Sequence, residues 1–145
     1  MWGWCGGRGR AGFLRAVGGI GAEAGGGPVN INADDAAGAL ARVRGARAVG
    51  FLTDVPGVLD RSGTLIDSLT PGRAEELIAD GTIAGGMIAK VRAAARAADP
   101  SGERAVLASW GSPDVLEALA QGRTPGTAIL SPASSGRPLE KELQR

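Results

Sequence analysis

The chain has 145 residues, with 16 Lys and Arg against 15 Asp and Glu, a single Cys and no His or Tyr. That length suits one compact domain, and the near balance of charge supplies no field that calls for nucleic acid or a membrane surface. Without His, triads of Ser, His and Asp, imidazole general bases and His metal sites are all excluded, and Cys5 alone permits neither an internal disulfide nor a Cys-rich zinc site. Cys5 reads either as a reactive thiol or as a bystander in a Gly-rich start. No stretch approaches the roughly 20 apolar residues of a membrane span. Arg15 and repeated glycines interrupt any signal-like run after Arg8 and Arg10, so a soluble, cytoplasmic protein is expected. Lysine occurs only at Lys90 and Lys141 in a chain that otherwise uses arginine.

Residues 1–27 are Gly-rich and weakly patterned; Trp2, Trp4 and Phe13 show no period, and Gly25-Gly26-Gly27-Pro28 reads as a turn. Regular organisation is expected from Asn30. Asp34 to Val43 reads as a helix capped by Asn32, with Ala36, Leu40 and Val43 as its apolar face and Gly45 as its stop. Ala48 to Leu52 reads as a buried strand, followed by a tight loop at Asp54-Val-Pro-Gly57. Leu59 to Ile66, broken by Arg61-Ser62-Gly63, suggests a small hairpin. Thr70 caps a helix with Pro71 at its first position, running to about Ala79.

Gly85 and Gly86 precede a longer helix with an inner face of Met87, Val91 and Ala94/Ala95, stopped by Asp99-Pro100. Arg104 to Ser109 contains a strand, Ser112-Pro113 opens a helix ending near Gly122, and Thr127 to Leu130 is the last strand. From Ser131 on, composition suggests a flexible tail. Alternating strands and helices predict an α/β fold, a three-layer αβα sandwich around a mainly parallel sheet.

Four segments invite chemistry. Gly19-Ile-Gly21-Ala-Glu-Ala24 fits a dinucleotide glycine pattern, but it leads into a glycine turn instead of a helix and is set aside. Asn30-Ile-Asn-Ala-Asp34-Asp packs two amides and two carboxylates around a helix start. Either they cap the helix and complement its dipole, or Asn30 donates to an anionic substrate while Asp34 holds a lysine. Asp54-Val-Pro-Gly-Val-Leu59 follows a strand, at the edge where open α/β sheets bind ligands, although an ordinary Pro-Gly turn has the same composition. Gly85-Gly86-Met-Ile-Ala-Lys90 pairs a close-approach backbone with a helix N-terminus and one lysine a turn inside. A cation near the positive end of the dipole is unfavourable unless an anion offsets it; the plain alternative is a solvated lysine on an amphipathic helix.

Taken in order, Val29 to Leu40, Phe51 to Asp60, Ala74 to Val91, Ala108-Ser-Trp110 and Gly126 to Leu130 resemble the C-terminal part of acetylglutamate kinases, a branch of the amino acid kinase family. The resemblance divides the chain into a Gly-rich remnant (1–19), an ATP-binding domain (20–130) and a tail (131–145). It implies transfer of the γ-phosphoryl of ATP, carried with Mg2+ through the phosphates, onto the side-chain carboxylate of N-acetyl-L-glutamate in arginine biosynthesis. By the same resemblance Asn30 binds the acetylglutamate and Asp34 organises catalytic lysines. Lys90 binds the phosphates and stabilises the transferring group. Asp54, Val55, Pro56, Gly57, Val58 and Leu59, with Thr82, Ile83, Ala84 and Met87, line the nucleotide. No dedicated protein metal cage is implied.

The family's N-terminal lobe brings a second catalytic lysine and a substrate-gripping arginine. No lysine precedes Lys90 here, so the resemblance implies an incomplete kinase, weakly active or inactive as this fragment, and an oligomer only where that lobe is supplied. Two other readings stay open: a kinase for a related acyl acceptor such as carrier-bound aminoadipate, and a non-catalytic nucleotide-binding module.

Overall fold

The computed structural model describes residues 16–98 and 104–131. The expectations attached to Trp2, Trp4, Cys5 and Phe13, to Asp99-Pro100 and to a flexible tail fall outside those residues. The chain divides into two compact units, Met1–Ala33 and Asp34–Arg145.

In the first unit, β1 (Ile20–Ala22) pairs antiparallel with β2 (Pro28–Asn30), Ile20 opposite Asn30 and Ala22 opposite Pro28. The connection is the anticipated glycine turn: the Gly26 N–H donates to Glu23 O and the Glu23 N–H to Gly27 O, each at 2.9 Å. Among the described residues regular structure begins at Ile20, ahead of the expected Asn30. Three-residue strands are too short for an alternation of apolar and polar residues to be visible. The Gly19–Ala24 glycine pattern runs through β1 and opens no helix, in agreement with setting it aside.

The second unit is built on one four-stranded sheet in the order β3-β5-β6-β4, from β3 (Ala48–Thr53), β4 (Ser68–Leu69), β5 (Arg104–Ser109) and β6 (Gly126–Ile129). β3 runs parallel to β5 and β4 parallel to β6, while β5 and β6 are antiparallel, so the sheet is mixed with parallel ladders in the majority. Among the described residues four helices complete it: α1 (Ala33–Arg44), α2 (Pro71–Ala79), α3 (Gly86–Ala97) and α4 (Val115–Ala120).

Strand alternation assigns the layers. On β5, Ala105 and Leu107 join Phe51, Ile129, Leu77, Val91 and Ala94 in one buried cluster, so α2 and α3 cover that face. Val106 and Ala108 meet Val115, Leu52 and Leu119 on the other, so α4 covers the opposite one. With both faces clad, β5 reads as an unbroken apolar run. The three-layer expectation holds.

Local chemistry explains the element ends. Thr70 Oγ1 accepts the Arg73 N–H at 3.2 Å, capping α2 as its Thr-Pro start predicted. α1 closes with a Schellman pair, Ala46 N–H to Ala41 O at 3.0 Å and Gly45 N–H to Arg42 O at 3.2 Å.

Three expectations change. Leu40 and Val43 of α1 are exposed, and the helix instead buries Gly38 and Ala41. A Cβ on Gly38 would stand 3.1 Å from Ala97 Cβ, so small residues bring α1 and α3 together and the larger apolar side chains are turned outward. The hairpin between Leu59 and Ile66 reduces to one antiparallel bridge, Leu59 to Leu65, around a turn that Asp60 holds. α4 starts at Val115 instead of at Ser112-Pro113; the intervening residues form turns, with the Val115 N–H on Ser112 O at 3.2 Å.

Candidate functional site

The connections of the second unit decide where its reactive groups collect. α3 leads into β5 and packs on it, so the helix runs back along the strand. Its 12 residues rise about 18 Å and the six residues of β5 about 20 Å, which sets the N-terminus of α3 level with the C-terminal end of β5. α1 leads into β3 through a short link and lies against α3, Gly38 facing Ala97 and Asp34 reaching Lys90. β3 and β5 end in register, Thr53 opposite Ser109, and the Trp110 N–H donates to Thr53 O at 2.9 Å. Two helix N-termini and two strand C-termini therefore share one edge of the sheet. This is the edge at which open α/β sheets bind ligands.

Asp34 and Lys90 meet there. Lys90 Nζ lies 3.3 Å from each carboxylate oxygen of Asp34, across 56 positions of sequence, with the two side chains 30% and 24% exposed. Next to this pair Asp35 binds Arg96, and Arg42 Nη1 donates to Arg96 O at 2.7 Å, fastening α1 to α3 at the far end. Gly85 stands before α3 at φ 58 and ψ −138, a backbone conformation open to glycine and costly for other residues. No side chain caps the helix at that position, and N–H groups of its first turn point out of the helix end. An ammonium held by a carboxylate stands here beside a helix N-terminus, the kinds of group from which anion sites are built.

The loop after β3 is tied down from below. Asp54 is exposed and accepts the Thr53 hydroxyl at 3.0 Å; Val55, Pro56 and Leu59 are partly or fully exposed, whereas Gly57 and Val58 are buried. The Val58 N–H donates to Thr127 Oγ1 at 2.8 Å, and the Thr127 side chain is fully buried. A Cβ on Gly126 would overlap Leu107 O and come 2.8 Å from Pro56 O, so β6 has to offer a bare backbone where the loop crosses it. Gly126 and Thr127 thus carry the loop. A Thr-Gly pair within a strand gives no sequence signal for that role.

The 82–84 segment enters α3 beside this loop. Ile83 is 2% exposed and its N–H donates to Leu77 O at 2.9 Å, so its side chain belongs to the core. The same holds for Val58, also 2% exposed. Neither of these side chains can face a ligand; each acts by fixing the course of the backbone. Ala84 is exposed, Thr82 and Met87 are partly buried, and Met87 packs on the core cluster. Asn30 ends β2 in the first unit, exposed and opposite Ile20.

Two carboxylates at this edge of the loop lie below the usual carboxylate range. The Ser62 hydroxyl and the Thr64 N–H lower Asp60, and the Thr82 hydroxyl and N–H lower Asp80, by donating to the ionised form. Among the described residues no three His, Cys, Asp or Glu side chains gather, and no helix is long and apolar enough to cross a membrane.

The chain is similar to proteins of known family. The acetylglutamate kinase of Serratia proteamaculans (strain 568) is 46% identical over 121 residues, 83% of this chain and 47% of that protein. The chain thus spans about half the length of the curated relatives it matches. Among solved structures, N-acetylglutamate synthase from Neisseria gonorrhoeae complexed with coenzyme A and L-arginine shares the fold at a TM-score of 0.70 and 23% identity, over 83% of this chain and 28% of that one. Carbamate kinase from Giardia lamblia bound to citric acid matches at 0.58 and 26%, over 77% and 36%. The profile of the Amino acid kinase family matches residues 10–109, most of the chain and all of the strand edge just described. By that match and that fold, the chain belongs to the amino acid kinase family.

Proposed function

We propose that this chain is the nucleotide-binding part of a kinase that transfers the γ-phosphoryl of ATP to the side-chain carboxylate of N-acetyl-L-glutamate. The observation that carries the reading is the position of Lys90, held by Asp34 beside a glycine-opened helix N-terminus at the ligand edge of the sheet. The 46% identity to an acetylglutamate kinase supports the choice of acceptor.

The chemistry suits a site without histidine. The acceptor is already an anion at neutral pH, so no general base is needed: a carboxylate oxygen bonds to the γ-phosphorus as the bridge to ADP breaks, leaving an acyl phosphate. Lys90 offsets the charge on the transferring group, and Asp34, an acceptor only, keeps the Lys90 ammonium oriented as that charge moves. The N–H groups at the start of α3 bind phosphate oxygens. The Asp54 to Leu59 loop and the 82–84 segment hold the nucleoside part, and Asn30 donates its amide to the acetylglutamate. These donors fit a polyphosphate that brings its Mg2+ with it, and the metal would supply charge neutralisation to the phosphates.

The test is titration calorimetry of MgATP with the 145-residue chain, together with hydroxylamine trapping of any acyl phosphate formed when acetylglutamate is added. Lys90→Ala should weaken MgATP binding roughly 10- to 150-fold, the 1.5–3 kcal/mol of a hydrogen bond to a charged group, while circular dichroism stays unchanged. Equal binding by the folded variant would remove Lys90 from the phosphate site and overturn the reading.

A further inference from the structure

The two nucleotide segments are joined by a side chain that neither segment contains. Leu59 closes one segment and Thr82 opens the other; immediately beside them lie two tight turns, 60–63 and 80–82. Each turn is pinned internally by an aspartate. Asp60 Oδ1 accepts the N–H groups of Ser62 and Thr64 at 2.8 and 2.9 Å, and Asp80 Oδ1 accepts the N–H and hydroxyl of Thr82. Arg61 crosses between them. Its Nε donates to Thr82 Oγ1 at 3.2 Å and its Nη2 to Asp80 O at 2.8 Å, with Asp80 Oδ1 3.6 Å from the same nitrogen. The Thr82 hydroxyl therefore accepts from Arg61 while donating to Asp80, which makes one relay across the gap. Beneath it is a cleft of about 390 Å3 lined by Asp60, Arg61, Arg73, Leu77, Asp80 and Thr82.

The geometry points to Arg61 as a positioning residue that sets the spacing between the 54–59 and 82–84 segments and so preforms the nucleotide site; this rests on the nucleotide reading above. The guanidinium is suited to the task because its planar fork presents Nε and Nη2 to two acceptors in fixed directions, whereas a lysine offers one nitrogen on a flexible stem. At 71% exposure the Arg61 side chain adds little to global stability, so its three contacts on one opposing turn are better accounted for by local alignment than by holding the fold. Aligning two ligand segments before binding lowers the ordering cost that the ligand would otherwise meet.

MgATP titration of the unaltered chain, Arg61→Ala, Arg61→Lys, Thr82→Val and the Arg61→Ala/Thr82→Val double variant tests this. Arg61→Ala should raise Kd about three- to tenfold, with a thermal midpoint within about 2 °C of the parent. Arg61→Lys should recover part of the loss. The double variant should lose less than the sum of the two single losses, because the Arg61–Thr82 bond is common to both. Unchanged Kd in Arg61→Ala, or strictly additive losses, would overturn the clamp alone. Absence of MgATP binding by the unaltered chain would overturn the nucleotide reading, and the clamp with it.

Discussion

Replacing Gly126 by Ala tests how the sheet carries the loop after β3. The added Cβ would overlap Leu107 O and fall 2.8 Å from Pro56 O and 2.9 Å from Ala108 Cα. Comfortable contacts lie at roughly 3.5 Å or more, so the strand and the loop must each give by at least about half an ångström. All three neighbours are backbone atoms, and no rotamer change relieves them. Overpacking of this kind costs about 1–3 kcal/mol, offset by the roughly 0.4–1 kcal/mol by which Ala restricts the unfolded chain. A net loss of about 1–2 kcal/mol follows, a fall of some 2–8 °C in thermal midpoint for a chain of this size. Differential scanning fluorimetry reads the first effect. The second is functional: Pro56 belongs to the proposed nucleotide loop, so MgATP affinity should fall along with stability. A midpoint equal to or above that of the parent would refute the packing argument. A lowered midpoint with unaltered affinity would refute the coupling of β6 to the loop.

Two further predictions concern single interactions. Thr127→Val keeps the shape of a fully buried side chain but removes the acceptor of the Val58 N–H, so urea denaturation should show a loss of about 1–3 kcal/mol; a variant as stable as the parent would mean that this N–H is satisfied elsewhere. On the acid side, Asp60 and Asp80 lie below 3.8, and Glu75 below 4.5 through its hydrogen bond from Arg92. Since folding lowers these values, their contribution is whole above 3.8 and 4.5 and drains away as pH falls through the lowered ones. The stability gap between the parent and Glu75→Gln should therefore narrow from about pH 6 to about pH 3 in denaturant titrations. A gap that widens on acidification contradicts the sign.

Much of the fold could be read from residue order. Periodicity and punctuation located α1, α2 and α3 to within a residue or two, because their caps and stops act locally: Thr70 on the Arg73 N–H, Gly45 after α1, Gly85 before α3. The apolar run from Ala48 announced a strand, half-buried in the fold, and a strand was legible within Arg104 to Ser109. Sequence also singled out Asp34 and Lys90, the latter by its conflict with the helix dipole.

What order along the chain could not supply was anything settled by approach between distant segments. The face that α1 buries follows from the fit of Gly38 against Ala97 and not from its most apolar residues, since two helices near each other favour small side chains whatever the hydrophobic count. The support of the 54–59 loop by Gly126 and Thr127, and the bridge from Arg61 to Asp80 and Thr82, likewise exist only once a loop and a strand 69 positions apart, or two turns on separate elements, are side by side. Sequence determined the elements and nominated an ammonium and a carboxylate. The tertiary structure brought them to 3.3 Å, because α1 and α3 lie against each other where Gly38 meets Ala97.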